Sequence, residues 1–308
     1  MSKALLYTAL ATALVGAVVT PAATAAAPAP GFEKFQFCPY ETPPLQEEGT
    51  ACVHSVTSSG SFTIGTTTLP IDKAIVLQGG ITGIQPSPLF EAVGAPTLNS
   101  PPGKVPGGLL GIANPAPNWP LPLWQAFWSV VNSVNDVTAT MEPVQTIQTD
   151  FGAALNPNWG GDPTAVRLAL RVRLQNPFLG NSCYIGSAQN PVVVKLQTGT
   201  TAPPAPTAPI SGSPGSLDFI QVGNDPYAYL QNTGNILVDN TFAVPAAKGC
   251  GNIALGLPIL TQLLDSLVSG AVNLKVGLPS AAGKNQAILQ GDTAIAAAAY
   301  VRDGSPYQ

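Results

Sequence analysis

Between Thr164 and Pro177 the chain alternates with a period of two. Val166, Leu168, Leu170, Val172 and Leu174 fall on one face. Arg167, Ala169, Arg171 and Arg173 fall on the other. That pattern requires a β-strand with one face in a core, and it forbids a helix, whose apolar residues would recur at three and four. Asn176-Pro177 ends the strand, because proline has no N–H to donate to a ladder. A chain organised around such a segment must supply neighbouring strands on both sides.

The first residues are not expected to belong to the fold. Lys3 is followed by an uncharged apolar run, Ala4 to Val19, and then by Ala23-Thr24-Ala25. This is the order of a secretory signal peptide: positive end, apolar centre, small-x-small cleavage site. Cleavage is expected near Ala26, giving a leader of residues 1–25 with its boundary at 25–27. No twin arginine is present, so the expected route is Sec. No later segment is apolar enough to span a bilayer. The chain ends in Arg302-Asp303-Gly304-Ser305-Pro306-Tyr307-Gln308, without a hydrophobic tail or wall-sorting signal. Release from the cell or non-covalent retention in the envelope is expected, with no transmembrane anchor after cleavage.

The four cysteines, Cys38, Cys52, Cys183 and Cys250, agree with an oxidising compartment. Three pairings are open. Cys38–Cys52 with Cys183–Cys250 is favoured, since a short local clip is the easiest to close. No Cys-x-x-Cys pair occurs and His54 is the only histidine, which argues against a zinc site. Nothing in the sequence calls for a metal or cofactor.

Charged residues make up 9% of the chain against 45% hydrophobic, with 31 Gly and 32 Pro. This is not the composition of a charged disordered tail; it suits many short strands joined by turns. The net charge of −4, without a basic run, leaves no electrostatic footprint for nucleic acid. The expected organisation is an irregular N-terminal arm (26–50) followed by a β-rich domain (51–308).

Along that domain, Ser55 to Thr68 reads as a strand or hairpin, and Lys73 to Gln78 as a strand stopped by Gly79-Gly80. Residues 82 to 120 read as a long Pro/Gly-rich loop. Leu121 to Val134 reads as an amphipathic helix carrying Trp124, Phe127 and Trp128 on its apolar face. Val137 to Met141, Val144 to Thr149 and Val192 to Leu196 read as strands. The Pro-rich run 198–216 reads as a linker or a surface loop, the loop being favoured because Cys183 and Cys250 flank it. Leu217 to Val222, Ala228 to Gln231 and Asn235 to Val244 are further strands. Pro258 to Ser269 reads as a second amphipathic helix with Gly270 as its terminating residue. Ala271 to Val276, Gln286 to Gln290 and Thr293 to Val301 are expected to complete the sheets. Leu121-Pro-Leu plus helix plus Val137–Met141 echoes Leu257-Pro-Ile plus helix plus Leu274–Leu278, which raises a possible internal duplication. The predicted fold is mainly β (α+β), a sandwich of antiparallel sheets with two packed amphipathic helices.

Motifs for nucleophilic, metal or nucleotide chemistry are missing: there is no Gly-x-Ser-x-Gly, His-Glu-x-x-His, phosphate-binding loop or dinucleotide fingerprint. Any histidine base would have to be His54, which is more simply a strand residue. Glu91, Glu142, Asp150, Asp162, Asp218, Asp225, Asp239, Asp265 and Asp292 are scattered, although a carboxylate hydrolase needs only two of them in one cleft. No catalytic residue is assigned. Arg167, Arg171 and Arg173 form a candidate anion-binding face, with a solvated strand face as the simpler account. Trp124, Phe127 and Trp128 are candidates for an apolar pocket, or core residues.

Cys52-Val-His-Ser55 with Gly60-Ser-Phe-Thr-Ile-Gly65 resembles exported actinobacterial proteins of unknown function. So do Leu174-Gln-Asn-Pro-Phe-Leu-Gly-Asn-Ser-Cys-Tyr-Ile-Gly186, Leu237-Val-Asp-Asn-Thr-Phe-Ala-Val-Pro245 and Leu274-Lys-Val-Gly-Leu-Pro-Ser-Ala-Ala-Gly283. The resemblance implies an actinomycete source and an exported fate, and it carries over no activity or catalytic residue. The leading expectation is a non-enzymatic extracellular or envelope-associated protein that binds or builds. Its partners would be a cell-wall component, a lipid or another envelope protein. The alternatives are a carrier of an apolar, lipid-like ligand and a secreted carboxylate-dependent hydrolase.

Overall fold

The computed structural model describes residues 27–82, 89–108, 135–158, 161–223, 227–251 and 258–304, with the side chains of 258–264 left aside. The expected leader and the expected helix Leu121–Val134, with Trp124, Phe127 and Trp128, lie outside the described residues. The elements in chain order are β1 (Ala51–Ile64), β2 (Thr67–Pro70), β3 (Ile75–Thr82), β4 (Leu89–Glu91), β5 (Leu98–Asn99), β6 (Gly103–Lys104), β7 (Thr138–Pro143) and β8 (Gln148–Thr149). Then follow helix α1 (Phe151–Leu155), β9 (Val166–Gln175), β10 (Tyr184–Ile185), β11 (Val192–Leu196), β12 (Ser216–Gln221), β13 (Ala228–Asp239) and β14 (Ala247–Lys248). Helix α2 (Pro258–Val276), β15 (Gln286–Ala297) and α3 (Ala298–Asp303) complete the chain.

The fold is mainly β, and every strand pairing is antiparallel. One layer runs β12-β13-β15-β1-β3, with β2 beside the end of β1. The other is built on β9, which is paired on both sides. β7 and β8 share one side of it, with Met141 opposite Val172. β11 and β10 share the other, with Val194 opposite Leu168. Two narrow joints close the layers on each other. Leu89 bridges to Gln148 between β4 and β8. Gln197, just past β11, exchanges two backbone hydrogen bonds of 3.0 and 2.9 Å with Val238 of β13. The result is a sandwich whose edges meet, and its interior holds the even face of β9: Leu168, Leu170, Val172 and Leu174 are all buried.

β1 shows how local irregularity serves that interior. Its pairing with β15 slips at Thr57/Ser59. Before the slip, Val53, Ser55 and Thr57 face inward; after it, Phe62 and Ile64 do. One unpaired residue therefore moves the inward set from odd to even positions. The outer face of the same strand carries Cys52, which packs in a second small core with Phe32, Phe35, Tyr40, Leu45, Ala294 and Val301. The N-terminal arm is thus two short 3-10 turns, Glu33–Phe35 and Pro43–Leu45, folded onto the sheet.

Several expectations are corrected. β3 does not stop at Gly79-Gly80 but runs through both to Thr82. A Cβ on Gly79 would fall 2.0 Å from the carbonyl oxygen of Glu91 in β4, and one on Gly80 would fall 2.4 Å from Leu45 Cδ1. These glycines mark close approach, not termination. Within 82–120, β4, β5 and β6 are formed. The expected strand Val144–Thr149 shrinks to Gln148–Thr149, and two expected strands merge into β13 across a bulge at Asn232/Asn235.

The expected strand Ala271–Val276 is the second half of α2. Gly270 sits mid-helix with open space at its Cβ position, so nothing there ends the helix. The exit is Gly277 (φ +77°), where the N–H groups of Gly277 and Leu278 both donate to Asn273 O at 2.8 Å. The echo between the two halves therefore fails locally, since β7 is a strand and Leu274–Val276 is helical. The last expected strand stops at Ala297, and Ala298–Asp303 is helical with Gly304 as its left-handed cap. No helix among the described residues is long and apolar enough to cross a membrane.

The disulfides are Cys38–Cys52 and Cys183–Cys250, with sequence separations of 14 and 67. The first clips the arm to β1; the second ties the loop after β9 to the segment leading into α2. By chain entropy the larger loop stabilises more, about 4 kcal/mol against about 3. Urea unfolding of Cys183→Ala/Cys250→Ala is expected to show the greater loss, and Cys38→Ala/Cys52→Ala the lesser. The reverse order would reject loop length as the controlling quantity.

Candidate apolar binding cavity

An apolar cavity lies where α2 crosses one end of the sandwich. Its volume is about 630 Å³. The floor is sheet: Phe62 and Ile64 of β1, Leu69 of β2, Ala139 and Met141 of β7, and Val172 and Leu174 of β9. The roof is the second half of α2, through Leu267, Val268, Ala271, Val272, Lys275 and Val276. Val268, Val272 and Val276 recur at four-residue spacing, which places them on one helix face. Among the described residues, Thr67 and Lys275 bring the polar side chains to the walls. A smaller void of about 90 Å³ continues in the interior beyond Phe62 and Met141, which line both spaces. The even face of β9 serves both: Leu168 and Leu170 line the inner void, Val172 and Leu174 the outer cavity.

Polar bonds hold the roof in place. Asn273 clasps β14, accepting from Ala247 N at 2.7 Å and donating to Ala247 O at 3.1 Å. Ser269 accepts from Cys250 N at 3.1 Å and donates to Asp265 at 2.8 Å. The Cys183–Cys250 bridge then anchors that contact to the loop after β9. Leu179 and Gly251, which also line the cavity, are joined beside the bridge by Gly251 N donating to Leu179 O at 2.8 Å. Leu267 and Ala271 are exposed as well as lining, so the mouth opens beside α2.

Chemically, such a lining favours hydrocarbon over water, because a water molecule needs two to four polar partners and the described walls are mostly apolar. An alkyl or ring system gains roughly 25 cal/mol per Å² of apolar surface removed from water. The volume falls within the range of about 300–1,000 Å³ usual for small-molecule sites.

Arg167, Arg171 and Arg173 lie along the outer face of β9. Arg167 is exposed and stands opposite Lys195. Arg171 is paired with Glu142 through Nε at 2.8 Å and Nη2 at 2.7 Å, and its guanidinium lies 4.3 Å from the centre of the Tyr184 ring. Arg173 lies between Thr140 and Tyr184 in register, and its buried Nε has no hydrogen-bond partner. The half-exposed Arg171–Glu142 pair contributes at most about 1 kcal/mol.

The carboxylates have local duties. Asp150 caps α1 through Ala153 N. Two hydrogen bonds from Thr164 hold the Asp162 carboxyl below its ordinary pKa. Asp239 is buried and accepts from Lys195 N, Thr241 N and Thr241 Oγ1. Asp292 accepts from Gly234 N. Glu91 and Asp218 lie on β4 and β12, and Asp225 lies outside the described residues. No described carboxylate lines either cavity, and the described residues hold no group of three or more His, Cys, Asp or Glu placed to bind a metal.

The pocket residues the sequence pointed to, Trp124, Phe127 and Trp128, lie outside the described residues; the described lining of the cavity consists of other side chains. Its floor comes from strands identified correctly, but its roof comes from Ala271–Val276, which alternates like a strand. The valine repeat at 268, 272 and 276 was the available signal.

His54 lies on the outer face of β1, between Gln78 and Ala294. Burial lowers its pKa below 6.5, and Lys34 adds to the effect. Below pH 6.5 the unfolded chain takes up a proton that the folded chain resists, so stability falls as pH falls toward the folded pKa. The melting temperature is expected to drop between about pH 7 and pH 5. His54→Gln should flatten that slope; an unchanged slope would place the acid sensitivity elsewhere.

No protein-family model, curated protein or solved structure matches this chain, so no relative lends the cavity a ligand.

Proposed function

We propose that this chain is an exported, non-enzymatic binding protein that carries an apolar, lipid-like molecule in the cavity beneath α2. The cavity itself carries the reading: about 630 Å³ of space walled by hydrocarbon between a disulfide-anchored helix and a sheet. Two disulfides and a low charge content suit an extracellular or envelope setting. The resemblance to exported actinobacterial proteins points the same way.

The geometry favours carriage over hydrolysis. A hydrolase needs an acid, base or nucleophile facing its substrate, and the walls present none of the described carboxylates and not His54. A carrier needs only a dry space, a stable frame and a mouth. β9 and the closed sandwich are the frame, and the edge of α2 is the mouth.

A neutral apolar dye, N-phenyl-1-naphthylamine, tests this on the mature disulfide-bonded chain. Saturable fluorescence enhancement is expected. Ala271→Trp, which places an indole at the mouth on an exposed helix position, should weaken binding at least about tenfold, or more than about 1.4 kcal/mol. Its melting temperature should stay within a few degrees of wild type. No saturable binding by the wild-type chain, or binding indifferent to Ala271→Trp, would defeat the carrier reading.

A further inference from the structure

We infer that the ligand is an acidic amphiphile, with its anionic head group at Lys275 and its hydrocarbon tail between α2 and the sheet. This rests on the carrier reading and adds the chemical class of the cargo.

Lys275 is the charged residue among those lining the cavity. It stands in the last turn of α2, and its ammonium donates to the carbonyl oxygens of Gly107 (3.5 Å) and Gly108. Carbonyls satisfy N–H groups, but they do not cancel a charge. The ion pairs among the described residues are Lys104–Asp136, Arg171–Glu142 and Arg302–Asp303, and none involves Lys275. The segments 109–134 and 252–257, which continue the chain from cavity residues Gly108 and Gly251, contain no Asp or Glu. The chain therefore places a cation on an apolar wall and brings no described acid to it.

The electrostatics agree with the geometry. Burial lowers the pKa of Lys275, and no neighbouring carboxylate raises it again. The carbonyl end of α2 offers only a partial negative charge. A carboxylate or phosphate from the ligand would supply the missing countercharge while its tail met hydrocarbon. Lysine suits a head group of either kind, because it binds as a point charge rather than a planar fork. A lysine that merely pinned the Gly107–Gly108 turn would make no such distinction among ligands.

Calorimetric titration of the mature chain with sodium laurate, dodecanol, dodecyl phosphate and inorganic phosphate tests this. Laurate and dodecyl phosphate are expected to bind at least about tenfold tighter than dodecanol, with inorganic phosphate not binding. Lys275→Met should reduce that preference to about onefold while dodecanol affinity holds, and Lys275→Arg should keep most of it. Lys275→Gln repeats the test if the methionine variant melts early. Equal affinity for laurate and dodecanol in the wild-type chain would overturn the head-group inference and leave the carrier reading standing. A preference that survives both neutral variants would do the same. Binding of inorganic phosphate as tight as dodecyl phosphate would show an anion site independent of the cavity and overturn the inference. Failure of every alkyl compound to bind would sink both readings.

Discussion

Burial of the even face of β9 is the constraint on which the rest of the structure depends. Four leucine and valine side chains on one strand must leave water, at roughly 1.5–3 kcal/mol each. They can do so only if a second layer faces them. β9 has neighbours on both sides, β7 and β8 on one and β11 and β10 on the other. The layer around β1 supplies the opposing face, and the joints at Leu89/Gln148 and Gln197/Val238 bring the edges together. The same row then does two things. Its first half fills the interior, and its second half floors the cavity.

A cavity in a sandwich needs a roof that does not collapse into it. α2 is held off the floor by attachments outside the cavity. Asn273 bonds both backbone groups of Ala247, Ser269 receives Cys250 N, and the Cys183–Cys250 bridge ties that point to the loop leaving β9. These are directional or covalent contacts, whereas the apolar contacts that would close the gap are not.

Much of the fold was legible because strand alternation is local. β9, β11, β12 and most of β1 and β7 follow from side chains two residues apart, and the chain's own periodicity reports them. The misreadings arise where a residue's meaning depends on something distant. Gly79 and Gly80 look like a stop until β4 and Leu45 are seen to lie against them. Gly270 looks like a helix end until the space around it is seen to be open. Ala271–Val276 fits a strand by alternation and a helix by its valines. The pull of β14 on Asn273, from residue 247, decides between them. The candidate site was less legible for the same reason: its floor and its described roof come from elements far apart along the chain.

The sequence by itself determined the strand alternation, the even set of four cysteines, the scarcity of charge and the absence of familiar catalytic motifs. Each is a property of composition or of residues close together along the chain. Only the tertiary structure decided that Phe62, Met141, Val172 and Val272 surround one space, and that Lys275 reaches its wall with no acid among the described lining residues. Those side chains come from β1, β7, β9 and α2, more than 200 positions apart at the extremes. Their meeting depends on closure of the sandwich and on the clasp that stands α2 above it, and no local periodicity records either.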